Sequence, residues 1–225
     1  MQAIETITTN VPDAAVYGQI AAALQTRGWC YMPNAVPPAL CSALLQQAQS
    51  LDEHELDVAG VGRQAQHQLN DFVRRDRIRW IYGDTAAERE WLQWMEQLRL
   101  VLNRQLFLGL FNFESHFARY EPGAFYRKHV DAFKGEANRV VSTVLYLNPD
   151  WRSDDGGALV LYAPEEQADL GGSEIGRFMP AFASLAVYLS EDFPHEVLPT
   201  RRERNSIAGW FRINTSTADK PDPAL

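Results

Sequence analysis

The sequence predicts a mainly β protein in which α-helices flank an antiparallel core of the sandwich or jelly-roll type. First, apolar residues recur at helical spacing in the N-terminal half but form short apolar or alternating runs from about Phe113 onward. Second, Gly, Asp and Pro clusters separate these runs, as they separate the strands of sandwiches and jelly rolls. Third, 225 residues with 46% hydrophobic and 22% charged side chains suffice for one sizeable core.

Helices and one strand are predicted in the N-terminal half. Apolar residues at helical spacing indicate a helix over residues 12–26. The apolar run at residues 29–32 predicts a strand, and the Pro-Pro pair that follows opens a second helix through Leu45. An apolar stripe predicts that residues 86–106 form the longest helix of the chain.

The segment between the second and third helices is polar. Residues 53–68 contain two glycines and no clear period, which predicts a mobile loop or hairpin tip that could face a substrate. Residues 69–80 are strand-like and carry four arginines. The plainer interpretation is an edge strand with a solvated basic face, and the alternative is a rim that docks an anion or a protein. These arginines are Arg74, Arg75, Arg77 and Arg79.

Five strands are predicted in the C-terminal half, at residues 117–120, 140–147, 158–162, 184–189 and 206–213. Together the elements predict one domain over residues 1–225. Within it, residues 1–106 supply the helices, the supporting strands and the polar loop, and residues 107–217 form the β core. Residues 218–225 are expected to be a frayed tail.

Composition argues against several classes of protein. The net charge of −8 and the pI near 5.1 oppose nucleic-acid binding, because phosphate backbones require clustered cations. Only two cysteines occur, Cys30 and Cys41, so a reducing setting is expected rather than a disulfide scaffold. No apolar run approaches the ~20 residues that span a bilayer, and no secretory signal pattern is present. We expect a cytoplasmic protein that binds neither nucleic acid nor membrane.

His129 and Asp131 are the first residues suited to chemistry. On an extended strand their spacing points both side chains to one face, where they can share a metal. Because His-x-Asp is common, the pair alone is more typical of a surface His beside an Asp. His195, at a turn in the β region, would complete a facial triad that leaves positions open for the ligands of non-haem iron(II). Zinc with a bound water is the alternative, and it would make the site hydrolytic.

Arg204 begins an apolar run shortly after His195. A guanidinium in an apolar setting needs an anion, and its planar fork matches a carboxylate bidentately. Arg204 is therefore a candidate anchor for the distal carboxylate of 2-oxoglutarate. The alternative is a structural salt bridge.

Several segments taken together resemble one enzyme family. They are His129-x-Asp131, His195-Glu196-Val197, Arg204 and Trp210, with residues 75–80, 119–123, 146–151 and 156–159. This ordered set resembles the iron(II)- and 2-oxoglutarate-dependent dioxygenases of the prolyl 4-hydroxylase superfamily, in particular the hypoxia-sensing prolyl hydroxylases and their bacterial relatives. The resemblance covers residues 70–213. It departs at Leu145, where the family often has an aromatic residue, and in residues 164–177, which look longer than in animal relatives.

The resemblance implies a double-stranded β-helix with iron at the mouth of the barrel and the co-substrate deeper inside. It also implies iron(II), 2-oxoglutarate and dioxygen, with ascorbate as an accessory reductant. The implied metal ligands are His129, Asp131 and His195. Arg204 and Tyr146 would hold the co-substrate carboxylate. The residues assigned to the pocket and the substrate entrance are Tyr120, Tyr126, Arg139 and Trp210.

The implied reaction hydroxylates a protein side chain, namely C4 of a proline, and releases succinate and carbon dioxide. By analogy with bacterial relatives, elongation factor Tu is the expected partner. Residues 60–68 correspond to a finger that folds over a bound peptide. Other targets stay open: a lysyl or asparaginyl side chain, a free amino acid, or a nucleobase lesion, which the acidic balance disfavours. Outside the oxygenases, the alternatives are a non-catalytic β-helix binding module and the zinc hydrolase.

Overall fold

Strands dominate the residues that the computed structural model describes, which are 14–58, 75–131, 138–164 and 172–215. The helices are α1 (Ala14–Arg27), α2 (Pro38–Ser50) and α3 (Ala86–Leu106). The strands are β1 (Trp29–Met32), β2 (Asp57–Val58), β3 (Asp76–Trp80), β4 (Asn112–Tyr120), β5 (Tyr126–His129), β6 (Arg139–Tyr146), β7 (Leu159–Tyr162), β8 (Glu174–Phe178), β9 (Leu185–Leu189), β10 (His195–Val197) and β11 (Arg204–Arg212). The predicted finger at 60–68 and the tail at 218–225 lie outside the described residues.

The strands form two antiparallel sheets. The larger sheet has the order β1-β9-β6-β11-β4-β3-β2, and the smaller has the order β5-β10-β7-β8. One apolar cluster joins the two sheets, with Tyr146 and Tyr188 from the larger and Leu161 and Val197 from the smaller. This arrangement confirms the predicted mainly β, jelly-roll fold with flanking helices.

The helices cover the other side of the larger sheet. A second apolar core joins all three helices to residues such as Phe117 and Phe211, which alternate with inward-facing residues along their strands. α3 begins after Thr85, whose side chain accepts a hydrogen bond from the Glu88 N–H at 3.1 Å, and ends at Phe107 in the left-handed conformation. No helix in the described ranges combines the length and apolar character needed to cross a membrane.

Short polar strands are where the structure departs from the sequence prediction. His195 begins β10 instead of lying at a turn, and part of the segment at 164–177 belongs to β8. Both strands lack apolar alternation, so their pairing with β7, and not their composition, makes them strands. β4 also begins at Asn112, earlier than the predicted residue 117, because its first residues pair with β11.

β3 is not the solvated basic edge that its arginines suggested. β2 pairs with part of its outer side. Arg79 forms a salt bridge with Glu88, whose side chain is 0% exposed. The N–H groups of Gly83 and Asp84 donate to the same carboxylate at 2.9 Å each. The prediction of a solvated basic face was therefore wrong for Arg79, because this arginine on β3 neutralises the buried Glu88 on α3.

Candidate active site

The structure brings His129, Asp131 and His195 together. His129 ends β5, Asp131 lies in a bend beyond it, and His195 begins β10 directly opposite His129. His129 Nε2 lies 3.7 Å from Asp131 Oδ1, and His195 Nε2 lies 3.6 Å from Asp131 Oδ2. One ligand atom from each residue lies within 4.8 Å of the other two. The bend at Asp131 therefore places its carboxylate beside both histidines, although Asp131 is not on the strand as the spacing had suggested.

Both imidazoles are oriented by the backbone. His129 Nδ1 donates to the carbonyl of Arg127 at 2.7 Å, and His195 Nδ1 donates to the carbonyl of Phe193 at 3.0 Å. Because each Nδ1 carries the proton in these bonds, each neutral ring keeps its lone pair on Nε2. Metal-ligating histidines are commonly oriented in this way. Both Nε2 atoms therefore face Asp131 in the form that binds a metal.

The electrostatics of the site also favour a divalent cation. Burial raises the pKa of Asp131, but His195, His129 and the Ser142 hydroxyl outweigh burial and hold that pKa well below its usual range. Burial, first, and the closeness of His129 lower the pKa of His195 to about 4. At neutral pH the site therefore offers an ionised carboxylate and a neutral imidazole. This donor set, with one face left to other ligands, suits non-haem iron(II).

Tyr126 packs directly against the site. Its ring stacks on His129 with centroids 3.6 Å apart and an interplanar angle of 17°. The stacking restrains the plane of the imidazole, in addition to the backbone hydrogen bond of its Nδ1. Tyr126 was predicted to line the pocket, and the structure places it beside a candidate ligand.

Arg204 lies deeper in the barrel at the start of β11, where it is 1% exposed. Its Nε donates to the carbonyl of Gly157 at 2.9 Å, and its Nη1 donates to Ser206 Oγ at 3.1 Å. The guanidinium carbon lies 4.8 Å from the ring centre of Tyr120 and 5.2 Å from that of Tyr146. These contacts confine the guanidinium in one orientation.

Two buried donors in this pocket are left without a hydrogen-bond partner among the described residues. They are Arg204 Nη2 and the hydroxyl of Tyr146. Burial raises the pKa of Tyr146, and the nearby Arg204 charge offsets only part of that effect, so the phenol stays protonated. A buried unpaired polar group costs about 1–3 kcal/mol, more if it is charged. An anionic oxygen between Arg204 and Tyr146 would remove that cost, which is the fit expected for the distal carboxylate of 2-oxoglutarate.

Arg139 and Trp210 form one wall on the larger sheet. Arg139 donates to Glu114 Oε1 from Nε at 2.8 Å and from Nη2 at 2.6 Å. Its guanidinium carbon lies 3.7 Å from the ring centre of Trp210. Trp210 in turn lies opposite Ser142 in the pairing of β11 with β6. Arg139 thus shapes the wall, and its predicted position at the substrate entrance stays a prediction.

Sequence reasoning missed the hydroxyl groups that surround Asp131. Ser142 donates to Asp131 Oδ2 at 2.6 Å, and the Tyr188 hydroxyl lies 3.4 Å from the same oxygen. Both residues lie in apolar stretches that predict only core strands. The available signal was the alternation of β6, which places Ser142 on the same face as Tyr146.

Comparison with known proteins agrees with this geometry. Residues 115–212, which contain every predicted site residue, match the family described as the 2OG-Fe(II) oxygenase superfamily. A Pseudomonas putida prolyl-4-hydroxylase structure is 43% identical, with a TM-score of 0.78 over 88% of this chain and 99% of that one. A Trichoplax adhaerens prolyl hydroxylase, solved with a hypoxia inducible factor peptide fragment, is 27% identical, with a TM-score of 0.73 over 88% of this chain and 89% of that one.

A curated human protein, Egl nine homolog 1, is 30% identical over 146 residues, which are 62% of this chain and 33% of that protein. This chain thus spans about a third of the length of that relative. The P. putida relative, in contrast, is covered almost completely at a high identity. On this evidence the chain belongs to the 2OG-Fe(II) oxygenase superfamily.

Proposed function

We propose that this protein is a prolyl 4-hydroxylase that acts on a protein substrate. Its family implies iron(II), 2-oxoglutarate and dioxygen as metal, co-substrate and oxidant. The proposal rests on the presence, in one protein, of a group of residues suited to bind a metal and a second group suited to bind a carboxylate. Three candidate metal ligands lie close together, and two unpaired donors, Arg204 Nη2 and the Tyr146 hydroxyl, are buried in the interior.

In this proposal His129, Asp131 and His195 hold the metal through two imidazole nitrogens and one carboxylate oxygen. Because Asp131 is ionised and His195 is neutral at neutral pH, neither of these two ligands has to release a proton before a cation binds. When bound, iron(II) supplies the activation of dioxygen, which with 2-oxoglutarate gives succinate, carbon dioxide and a hydroxylated carbon. The protein determines which ligand positions stay open and which carbon lies beside them.

Arg204 and Tyr146 would bind the distal carboxylate of 2-oxoglutarate. The guanidinium supplies a charge-assisted bond from Nη2, and the neutral phenol supplies a second donor. Two donors of different geometry fix the orientation of the diacid as well as its depth. The length of the diacid then decides whether its other end reaches the metal.

The surrounding aromatic residues would keep water away from the reaction. Tyr120 and Trp210 are 4% and 7% exposed, respectively, and Tyr126 covers one face of His129. Excluding water strengthens the electrostatic interactions inside the pocket and limits side reactions.

A protein substrate is supported by the comparisons. One relative carries the name prolyl-4-hydroxylase, and another was solved with a peptide fragment bound. Elongation factor Tu is the specific partner we propose, by analogy alone. The proposal includes a cytoplasmic location, because both cysteines are buried free thiols and intracellular thiols stay reduced.

The proposal is tested by anaerobic reconstitution with iron(II) and 2-oxoglutarate, followed by exposure to oxygen with either purified elongation factor Tu or a bacterial lysate. Mass spectrometry should detect a gain of one oxygen atom on proline, together with succinate. Hydroxylysine, hydroxyasparagine or an oxidised free amino acid would replace the prolyl assignment. Absence of any 2-oxoglutarate turnover with every substrate would contradict the enzymatic proposal.

Two variants separate the roles in this assay. His129→Ala should abolish both hydroxylation and succinate formation, because a ligand is missing. Arg204→Ala should mainly weaken 2-oxoglutarate affinity and be partly rescued by high 2-oxoglutarate. A hydrolytic activity that needs neither oxygen nor 2-oxoglutarate would favour the zinc alternative.

A further inference from the structure

A cluster of three hydroxyl groups lies beside Asp131, and two of them contact one of its oxygens. Ser142 Oγ donates to Asp131 Oδ2 at 2.6 Å and lies 2.8 Å from Ser190 Oγ. The hydroxyl of Tyr188 approaches the same Oδ2 at 3.4 Å. The other carboxylate oxygen, Oδ1, is the one that faces His129 Nε2. The two oxygens of Asp131 therefore have different surroundings.

The larger sheet builds this cluster through its register. Ser142 on β6 lies directly opposite Tyr188 on β9, so their side chains project side by side into the barrel. Ser190 follows the end of β9. All three are at most 2% exposed. Hydroxyls buried this deeply need partners, and Asp131 is the carboxylate that two of them contact.

Tyr188 also contacts a second candidate ligand. Its hydroxyl lies 3.1 Å from His195 Nε2. Because the proton of that imidazole is on Nδ1, where it is donated to Phe193, Nε2 can only accept. The single proton of Tyr188 can therefore go to His195, at 3.1 Å, or to Asp131, at 3.4 Å, and the shorter distance favours His195.

We propose that Tyr188 is a positioning residue of the metal centre, which donates its proton to His195 without metal and to Asp131 Oδ2 when metal is bound. A metal on His195 Nε2 takes the lone pair that the phenol uses, and Asp131 is the acceptor left beside it. Ser142, supported by Ser190, holds the same oxygen throughout. Together they leave Oδ1 to the metal. This inference rests on the metal ligands of the proposed function.

The test measures the affinity of the protein for Mn(II). This metal binds such sets of nitrogen and oxygen ligands without activating oxygen. Electron paramagnetic resonance measures the concentration of free Mn(II) during the titration. Loss of a hydrogen bond to a ligand typically weakens metal affinity about 10- to 100-fold. Tyr188→Phe and Ser142→Ala should each show a loss of this size. Because both hydroxyls act on one oxygen, the loss in the double variant should differ from the product of the single losses.

Tyr31→Phe is the matched control. Tyr31 is a partly buried tyrosine that packs against the same apolar cluster as Tyr188, and its hydroxyl donates to the Met179 carbonyl at 2.7 Å, away from Asp131. Its removal should leave Mn(II) affinity unchanged, and circular dichroism checks that each variant folds. If Tyr188→Phe binds Mn(II) as tightly as the wild type while Ser142→Ala does not, the role of Tyr188 is overturned.

The same titration tests the proposed metal site separately. If wild-type protein takes up no Mn(II), or His129→Ala binds it equally well, the ligand assignment itself fails. If wild type binds and His129→Ala does not, the ligand assignment stands, and the Tyr188 result decides the further inference alone.

Discussion

His195 lies directly opposite His129 in the antiparallel pairing of β10 with β5, and their ring centroids are 4.2 Å apart. This register joins two histidines that are distant in sequence. If either histidine is removed, Asp131 and the remaining histidine supply only two of the three candidate ligands. The closeness of the rings therefore leads to a prediction about metal content.

Replacement of His129 or His195 by alanine should remove bound iron, because two remaining protein ligands cannot complete the facial set. Protein loaded anaerobically with iron(II) and desalted is expected to keep one equivalent only in the wild type. His54→Ala is the control, since His54 is exposed and distant from the triad in sequence. Retention of iron by both ligand variants would contradict the assignment.

Arg204→Lys should raise the KM for 2-oxoglutarate more than it lowers kcat. Lysine keeps the charge but cannot donate to Gly157 and to a carboxylate from one planar group. A hydrogen bond to a charged group contributes about 1.5–3 kcal/mol, so the expected rise in KM is about 10- to 100-fold. Steady-state succinate formation at varied 2-oxoglutarate measures both constants.

Arg202→Lys serves as the comparison for this prediction. The Arg202 side chain is 43% exposed and lies over the Trp151 ring instead of inside the barrel. Its replacement should change neither constant. A loss confined to kcat in Arg204→Lys would mean that the arginine acts on the reaction and not on co-substrate binding.

Gly157→Ala should damage the co-substrate pocket through the backbone. Gly157 has φ +66°, and a Cβ there would lie 3.0 Å from Arg204 Cδ and 3.2 Å from Thr200 Cβ. The left-handed conformation alone costs a non-glycine residue about 1–2 kcal/mol. We expect reduced stability in urea and, in addition, a higher KM for 2-oxoglutarate, because Arg204 must shift.

Gly123→Ala separates these two effects. Gly123 also has a positive φ, +87°, but a Cβ there would meet nothing within 4 Å. It should therefore lose a similar free energy of unfolding from backbone strain and keep the wild-type KM. Equal KM values in both alanine variants would show that the approach to Arg204 is unimportant.

The candidate ligands and the candidate anchor could be identified in the sequence because their signal is local or ordered along the chain. His129 and Asp131 lie two positions apart, and His195 and Arg204 follow in an order that resembles a family. Long helices such as α3 have a strong period as well. These features depend on neighbouring residues, which a sequence displays directly.

The hydroxyls around Asp131 could not be predicted in the same way. Tyr188 and Ser142 become neighbours only through the register of β9 with β6, and nothing in either strand alone specifies that register. Such contacts follow from long-range pairing, and the charge or hydrophobicity of each segment is compatible with several arrangements.

Acid should destabilise the metal-free protein through His195. Burial, first, and the His129 charge lower the pKa of His195 from 6.5 to about 4. Between these values the unfolded chain binds a proton that the folded protein does not. Stability therefore falls as the pH is lowered through this window, and the full shift corresponds to about 3 kcal/mol. The Asp131 contribution is lost at lower pH, because its folded pKa lies well below its usual range.

Urea unfolding of EDTA-treated protein at neutral pH and at about pH 5 measures this dependence, since the second condition lies inside the window. His195→Gln is the informative comparison, because glutamine keeps a polar side chain but does not titrate. The variant should lose less stability than the wild type between the two conditions. Equal losses would mean that other groups account for the acid sensitivity and that His195 is not held neutral by burial. Added Mn(II) should stabilise the wild type at neutral pH and do so less at about pH 5, because bound metal and bound protons compete for the same nitrogens.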